Sequence, residues 1–116
     1  MNVPRLRAVN TSTVSITLRY DAKIMAQENL RTLRIINEKG LHARASAKLV
    51  EVVEAHDARA TVSKDGLSAS GDSIMGLLML AASKGTFIEV ATDGAEAEKL
   101  AEAVDLLVAD RFGEEF

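Results

Sequence analysis

The sequence predicts an α+β domain in which helices cover one face of a four-stranded sheet, giving a two-layer sandwich. Apolar residues recur at strand-like or helix-like spacing in the order β-α-β-β-α-β-α. The chain has 116 residues, enough for one domain with a modest core. Its apolar content is 47%, with only three Phe and one Tyr, so we expect an aliphatic core.

The first strand and the first helix are predicted on either side of a glycine-containing turn. Residues 32–37 predict a strand with Leu33 and Ile35 on one face, and residues 38–40 predict the turn. Residues 43–56 predict a helix, because good helix formers run there without Gly or Pro. Its apolar stripe at helical spacing consists of Ala47, Leu49, Val50 and Val53.

The middle of the chain predicts a hairpin followed by a short helix. Strands over 58–64 and 67–70 flank Asp65-Gly66, which is a strong hairpin signal. Residues 73–82 are apolar almost all round and predict a short helix pressed against the core. Gly76 in its middle costs about 1 kcal/mol relative to Ala, which indicates a close contact or a surface kept flat for a partner.

The C-terminal third predicts one strand and one long helix. Residues 86–92 form the fourth predicted strand, and residues 95–110 form the third predicted helix. The buried stripe of this helix is expected to comprise Ala97, Leu100, Ala101, Val104, Leu107 and Val108. We expect residues 113–116 to be a short tail.

The N-terminal 27 residues give no clear element. Residues 11–20 alternate polar and apolar side chains, as a strand does, but nothing nearby in the sequence offers them a partner. We expect residues 1–27 to be a poorly ordered or weakly structured tail, with Met25 as an alternative natural start. The predicted domain therefore spans residues 28–112.

Charge and composition exclude several classes of function. The net charge is −3, to which residues 1–27 contribute +3, so the globular part is at −6 and lacks the broad basic face of a nucleic-acid-binding protein. The longest apolar run, residues 74–82, is too short for membrane insertion. Cysteine is absent, which removes disulfides and thiolate metal sites. We expect a cytoplasmic protein with no metal and no cofactor.

The segment Gly40-Leu41-His42-Ala43-Arg44-Ala45-Ser46-Ala47 has the layout of an anion site at a helix start. The first amides of a helix have no partners within it, and the dipole adds about 0.3–1 kcal/mol in favour of an anion there. The backbone N–H groups of Ala43, Arg44 and Ala45 would be such donors. His42 would offer a nucleophilic imidazole, and the Arg44 guanidinium suits bidentate contact with phosphate. Alone, His42 also fits a surface or cap residue, and Arg44 a solvated charge.

The segment Gly40-Leu41-His42-Ala43-Arg44 resembles the phosphorylation-site signature of HPr, the histidine-containing phosphocarrier of the sugar phosphotransferase system. A second segment, Asp72-Ser73-Ile74-Met75-Gly76-Leu77-Leu78, is similar to the regulatory-serine segment of the same family. The spacing between the two segments also fits. The similarity covers about residues 30–112, nearly all of the chain that the composition marks as globular.

The resemblance implies an open-faced sandwich, with an antiparallel sheet and three helices on one side, and a carrier without turnover of its own. It implies that enzyme I, charged from phosphoenolpyruvate, phosphorylates His42 on Nδ1, and that an enzyme IIA-type protein accepts the group. Arg44 would stabilise the phosphoryl oxygens. An HPr kinase/phosphorylase is a further implied partner, and we expect a monomer.

Ser73 has two interpretations. As the residue before a predicted helix it suits an N-cap, whose hydroxyl accepts a hydrogen bond from the second or third helical amide. The resemblance adds regulatory phosphorylation by an ATP-dependent kinase, which would place about −1.5 to −2 charge beside a docking surface. That surface would consist of Ile74, Met75 and Leu78, which could form an exposed apolar patch near His42.

One position departs from the family pattern. Proline usually follows the arginine, where its fixed φ and missing N–H suit the first helical turn, and here that position is Ala45. Alanine is compatible with phosphorylation of His42 but relaxes the turn. This departure adds a regulatory branch, such as a nitrogen- or carbon-linked phosphorelay, as an alternative to main-line sugar transport.

Two other classes of function compete with the carrier. In the first, Ser73 phosphorylation controls an interaction module that regulates transcription or a kinase, and His42 is silent; the presence of the histidine argues against it. In the second, His42 and Arg44 serve a small hydrolase acting on an acyl or phosphate ester. No carboxylate or second nucleophile adjoins the pair in sequence, which disfavours hydrolysis.

Overall fold

The structure is a computed structural model that describes residues 29–116. The expectations for residues 1–27 and for Met25 lie outside these residues. The described chain contains four strands, three helices and a 3₁₀ turn, in the order expected. They are β1 (Asn29–Arg34), α1 (Ala43–Glu54), β2 (Arg59–Lys64), β3 (Leu67–Ser70), α2 (Ile74–Met79), β4 (Phe87–Asp93), α3 (Ala97–Ala109) and the turn Arg111–Gly113.

The four strands form one antiparallel sheet in the order β1-β4-β2-β3. Leu33 of β1 lies opposite Ile88 of β4, and Val90 of β4 lies opposite Val62 of β2. Val62 in turn lies opposite Ala69 of β3. Because side chains alternate along a strand, this register brings the buried residues of all four strands to one face.

That face carries the three helices, and the opposite face is open. The long apolar stripe of α3 is buried at Leu100, Ala101 and Val104, and α1 buries Leu49 and Val53. On the open face, Thr32, Phe87 and Glu89 are exposed. The α+β open-faced sandwich predicted from the sequence is therefore confirmed.

The first strand differs from its prediction over residues 32–37. Asn29 and Arg31 extend it toward the N-terminus, where Asn29 lies opposite Thr92, although neither residue carries a strand-like signal. Regular pairing ends at Arg34. Ile35 remains fully buried and exchanges backbone hydrogen bonds with Gly85 (2.7 Å) and Thr86 (2.9 Å), so the chain stays extended as it enters the next turn.

The short helix α2 ends three residues before the predicted limit at Ala82. Ala81 adopts a left-handed φ of +52°, which stops the helix. The turn brings the carbonyl of Ala82 to the N–H of Leu41, 2.8 Å away. The chain after α2 is thus joined to the chain that leads into α1.

Two glycines allow close contacts that a side chain would obstruct. Gly40 has a φ of +67°, and a Cβ there would lie 2.5 Å from the carbonyl oxygen of Ala82. Gly76 lies within α2, where a Cβ would meet the Ala69 Cβ and the Ser73 Oγ, both at 3.1 Å. Of the two explanations considered for Gly76, the structure therefore shows the close contact.

The C-terminal residues pack against the domain instead of extending from it as a tail. Phe112 is fully buried in the core. Its carbonyl accepts a hydrogen bond from the Lys48 ammonium at 2.7 Å, and the carbonyl of Phe116 accepts one from the Glu38 N–H at 3.0 Å. Residues 113–116 consequently lie beside the turn that precedes α1.

Candidate functional site

His42 lies at the N-terminal entrance of α1. It is the N-cap residue, with an extended backbone (φ −83°, ψ −173°). Leu41 before it is buried and hydrogen-bonded to Ala82, so the backbone just before His42 is held against the segment that follows α2. The His42 side chain is 26% exposed, so its ring is partly accessible at the start of the helix and is not sealed in the interior.

The first turn of α1 leaves its backbone donors open. The His42 side chain makes no capping hydrogen bond, and the first turn contains no acidic residue. Within residues 29–116, no hydrogen bond is formed by the N–H groups of Ala43, Arg44 or Ala45. The next amide, that of Ser46, donates to the His42 carbonyl at 2.8 Å and begins the helical pattern. These open amides, with the helix dipole, favour an anion beside His42.

Arg44 is exposed and makes no hydrogen bond or ion pair with the residues that the structure describes. It borders a cleft of ≈ 350 Å³ between the turn before α1 and the C-terminal residues. Lys39 lines the same cleft, together with the acidic Glu38, Glu114 and Glu115. The guanidinium is therefore available to an incoming anion without first giving up another partner.

Glu114 contacts the ring of His42. One carboxylate oxygen is hydrogen-bonded to His42 Nε2, and the other accepts from the Asn37 amide at 2.9 Å. Asn37 is fully buried, and the same amide nitrogen donates to the Gly40 carbonyl at 2.8 Å. The structure thus adds two residues, Asn37 and Glu114, to those that the sequence predicted for the site.

The Glu114 carboxyl titrates at a lower pH than an ordinary glutamate. Burial alone raises its pKa, but hydrogen bonds from Asn37 and His42 and the charges of His42 and Lys39 outweigh burial, so the pKa lies below its usual value. The carboxylate is therefore ionised near neutral pH, and an ionised carboxylate can only accept hydrogen bonds.

Ser73 is the N-cap of α2, as the first of its two interpretations predicted. Its hydroxyl accepts a hydrogen bond from the Gly76 N–H at 3.0 Å. Of the predicted docking residues, Ile74 and Met75 are 39% and 71% exposed, whereas Leu78 is only partly exposed. Met79, which the sequence analysis left out, is 73% exposed and enlarges the apolar surface of α2.

The segment after α2 borders His42 directly. Residues 81–83 line a shallow depression of ≈ 240 Å³ together with Lys39, Leu41 and His42. The start of α1 and the apolar surface of α2 are therefore linked by one short stretch of chain. Among residues 29–116, no group of three His, Asp or Glu side chains could hold a metal ion, and no helix is long and apolar enough to cross a membrane.

Comparison with known proteins identifies the family. A family model described as the PTS HPr component phosphorylation site matches residues 30–110. The chain belongs to the HPr family. It is similar to the phosphocarrier protein HPr of Neisseria meningitidis (44% identity over 84 residues, 72% of this chain and 94% of that protein) and to that of Cupriavidus necator (42%, 72% and 94%). The crystal structure of HPr-C-His from Thermoanaerobacter tengcongensis superposes with a TM-score of 0.73 at 32% identity, covering 76% of this chain and 99% of that one.

Membership of the HPr family defines the general role of the chain. HPr proteins are phosphocarriers of the phosphotransferase system and work with its enzymes. They are not catalysts with turnover of their own, so the hydrolase alternative is excluded. The resemblance read from Gly40–Arg44 and from Asp72–Leu78 is thereby confirmed at the level of the family.

Proposed function

We propose that His42 accepts a phosphoryl group on Nδ1 from enzyme I, which is charged from phosphoenolpyruvate, and passes it to an enzyme IIA-type acceptor. The observation that carries this proposal is the placement of a partly exposed imidazole at the uncapped N-terminus of α1. Arg44 follows two residues later with its guanidinium free of partners among the described residues. The proposal adds specific residues and partners to the carrier role shown for the family.

The transfer itself needs only positioning and charge stabilisation. The lone pair of Nδ1 forms a bond to phosphorus, while the bond between phosphorus and the donor breaks and its electron pair stays with the donor. In the onward step an acceptor nucleophile attacks the phosphorus, and the electron pair of the N–P bond returns to Nδ1. No oxidant, reductant or resident metal is required.

The phosphoryl oxygens would be stabilised by donors that are already in place. The N–H groups of Ala43, Arg44 and Ala45 face the entrance of α1, and the dipole contributes about 0.3–1 kcal/mol beside them. Arg44 can donate two parallel hydrogen bonds to phosphate. These donors lie near the surface, where water weakens each interaction, and moderate stabilisation suits a group that must leave again.

Docking of both partners is assigned to the apolar surface of α2. Ile74 and Met75 supply exposed apolar area, and Leu78 lines its less exposed side. Methionine repacks readily, so one such surface can accept two different partners in turn. A carrier that shuttles between enzymes needs small, transient interfaces of this kind.

Regulation is assigned to Ser73, with an HPr kinase/phosphorylase as the modifying enzyme. Phosphorylation would replace the capping bond to the Gly76 N–H and place a charge of about −1.5 to −2 next to Ile74. An apolar docking surface would be disrupted by that charge. The check is labelling of Ser73→Ala by the kinase with ATP: an undiminished rate of labelling would exclude this serine as the acceptor.

We further propose a regulatory branch of the phosphotransferase system, beside main-line sugar transport, on the ground of Ala45. The backbone N–H that alanine restores lies in the open first turn of α1, where proline would remove a donor. Comparing phosphoryl transfer from this protein to sugar-specific and regulatory enzyme IIA proteins tests the assignment. A tenfold preference for the sugar-specific acceptor would overturn it.

The decisive experiment uses phosphoenolpyruvate labelled on its phosphoryl group, with purified enzyme I. The wild-type protein should acquire acid-labile label, as a phosphohistidine does, and His42→Ala should acquire none. His56→Ala is the matched control: His56 lies past the end of α1 with Nδ1 bonded to the Val52 carbonyl at 2.8 Å, and it should label normally. Unlabelled wild-type protein would favour the alternative, an interaction module controlled through Ser73.

A further inference from the structure

We propose that Glu114 is a positioning residue for His42: it holds the ring proton on Nε2 and so presents the lone pair of Nδ1 to the incoming phosphoryl group. The effect on transfer rests on the proposed function, whereas the effect on the ring does not. One Glu114 oxygen is in direct contact with His42 Nε2.

The orientation of the Glu114 carboxylate is determined by Asn37. The Asn37 amide nitrogen donates to two acceptors, the Gly40 carbonyl at 2.8 Å and the second Glu114 oxygen at 2.9 Å. Both partners can only accept, so the amide group cannot be reversed without losing both bonds. Asn37 is fully buried, and its own oxygen has no partner among the described residues, so both bonds of its side chain come from the NH₂ group.

The segment that carries Glu114 is braced against the rest of the domain. Phe112 is anchored in the core, and its carbonyl is hydrogen-bonded to the Lys48 ammonium of α1. On the other side of Glu114, the carbonyl of Phe116 accepts from the N–H of Glu38. The backbone is therefore held two residues before Glu114 and two residues after it, which keeps this side chain beside the ring.

A carboxylate on one ring nitrogen selects the tautomer of the imidazole. An ionised carboxylate cannot donate, so the bonded nitrogen, Nε2, must carry the proton. Nδ1 then holds the lone pair that attacks phosphorus. As the N–P bond forms and the donor–phosphorus bond breaks, positive charge develops on the ring, and the nearby carboxylate stabilises it while the proton stays on Nε2.

The charges around the pair are consistent with this role. Lys39 lines the same cleft and favours the ionised form of Glu114, whereas Glu38 and Glu115 are exposed and their charges are solvated. Asn37 contributes a neutral donor, which fixes the carboxylate without competing for the ring. The pair thus resembles the carboxylate–imidazole unit that enzymes use to orient a histidine.

Substitution of Glu114 by Gln provides a sharp test, because Asn37 dictates how the new amide must point. The Gln oxygen should accept from the Asn37 amide, which turns its NH₂ group toward His42 Nε2. That NH₂ would donate to Nε2 and shift the ring proton to Nδ1. Nitrogen-15 NMR of the His42 ring should therefore show the Nε2–H tautomer in the wild-type protein and the Nδ1–H tautomer in Glu114→Gln.

Rates of phosphoryl transfer from phosphorylated enzyme I give the second readout. Glu114→Gln should be about 10- to 100-fold slower than the wild type, since the nucleophilic nitrogen is protonated and the stabilising charge is gone. In Glu114→Ala, water replaces the carboxylate at Nε2, and the transfer rate should lie between those of the wild type and Glu114→Gln. A merely structural role would reverse this order, because Gln preserves the packing that Ala loses. Glu102→Gln, at an exposed position of α3 outside the cleft, is the matched control and should transfer at the wild-type rate.

The two proposals fail separately. If the wild-type ring carries its proton on Nδ1, or if Glu114→Gln transfers faster than Glu114→Ala, the positioning role of Glu114 is wrong even when His42 is labelled. If the wild type is not labelled at all, the proposed function fails, and the NMR result still decides whether Glu114 selects the tautomer. Normal rates in both Glu114 variants would also overturn the positioning role.

Discussion

The N-termini of α1 and α2 lie in the two segments that resemble the HPr family, and they are finished in opposite ways. At α2, Ser73 closes the helix with a hydrogen bond from the Gly76 N–H at 3.0 Å. At α1, His42 occupies the same cap position and makes no such bond, and its ring turns to Glu114 instead. One helix start has a side-chain cap, and the other has none.

The difference shows what an anion-accepting helix start costs. A capping Ser, Thr, Asp or Asn adds about 0.5–2 kcal/mol relative to Ala, and α1 forgoes that contribution. In exchange, the amides of its first turn remain free for a group that arrives and leaves. At α2 the capping hydroxyl of Ser73 is itself the proposed site of phosphorylation, so the modification would remove the hydrogen bond that stabilises this helix start.

The largest effect is expected from Gly40→Ala, which breaks the entrance of α1. The new Cβ would lie 2.5 Å from the Ala82 carbonyl oxygen at a left-handed φ of +67°, so the variant should lose about 2–4 kcal/mol of unfolding free energy. Gly66→Ala is the control, because its φ of +84° carries the same conformational penalty with nothing within 4 Å. Urea denaturation of the two variants measures the difference, and equal losses would contradict the contact.

Arg44→Ala should separate function from stability at the open helix start. Loss of a hydrogen bond to a charged group should slow phosphoryl acceptance about 10- to 100-fold, whereas the unfolding free energy should stay within about 0.5 kcal/mol because Arg44 has no partner among residues 29–116. Arg34→Ala, on the exposed face of β1, is the control. Initial rates with phosphorylated enzyme I decide the matter, and a rate equal to that of the control would remove Arg44 from the site.

Substitutions at the two cap positions should have opposite effects on stability. Ser73→Ala removes the bond to Gly76 and should cost about 0.5–2 kcal/mol. At α1 a new cap should add stability. We expect His42→Ser to be more stable than His42→Ala by a similar amount, because serine can cap the open amides. Thermal melts of the three variants measure both effects. If serine gave no advantage over alanine at position 42, the amides of α1 would not be open as described.

The smallest effect should be a pH dependence present at α1 and absent at α2. Because the folded pKa of Glu114 lies below its unfolded value, the ionised carboxylate stabilises the fold above the ordinary glutamate range, and this stabilisation is lost as the pH falls through the lowered value. Between pH of about 6 and 3 the Tm advantage of the wild type over Glu114→Gln should therefore shrink. The advantage of the wild type over Ser73→Ala should stay constant over the same range.

Most of the fold could be read from the sequence because local signals and tertiary packing agree there. Asp65-Gly66 marks the hairpin, and residues 67–70 form β3 with the predicted bounds. The predicted bounds of the first strand lie too far toward the C-terminus. Asn29 and Arg31 belong to the strand because they pair with β4, and no local pattern in the sequence indicates that pairing. Helix α2 was predicted too long because its end depends on the left-handed conformation of Ala81. The next residue, Ala82, accepts a hydrogen bond from the Leu41 N–H, a contact across the fold that no local pattern shows.

The candidate site likewise contains residues that the sequence could identify and residues that only tertiary packing brings there. His42 and Arg44 lie two residues apart in a recognisable segment, so sequence alone could name them. Glu114 lies 72 residues from His42 in a stretch with no motif, and tertiary contacts, the packing of Phe112 among them, bring it back to the ring. Asn37 gave one faint signal, a polar residue at the end of an alternating strand pattern where an apolar side chain is the rule.

The chain reverses direction after α3, so the length of that helix determines where the following residues lie relative to His42. Arg111 and Phe112 both adopt left-handed backbone conformations, with φ of +56° and +54°, so the chain doubles back at one defined point. Each residue added to or removed from the helix would move this point by about 1.5 Å and rotate it by about 100°. A chain with a longer or shorter third helix would thus bring a different side chain to the imidazole.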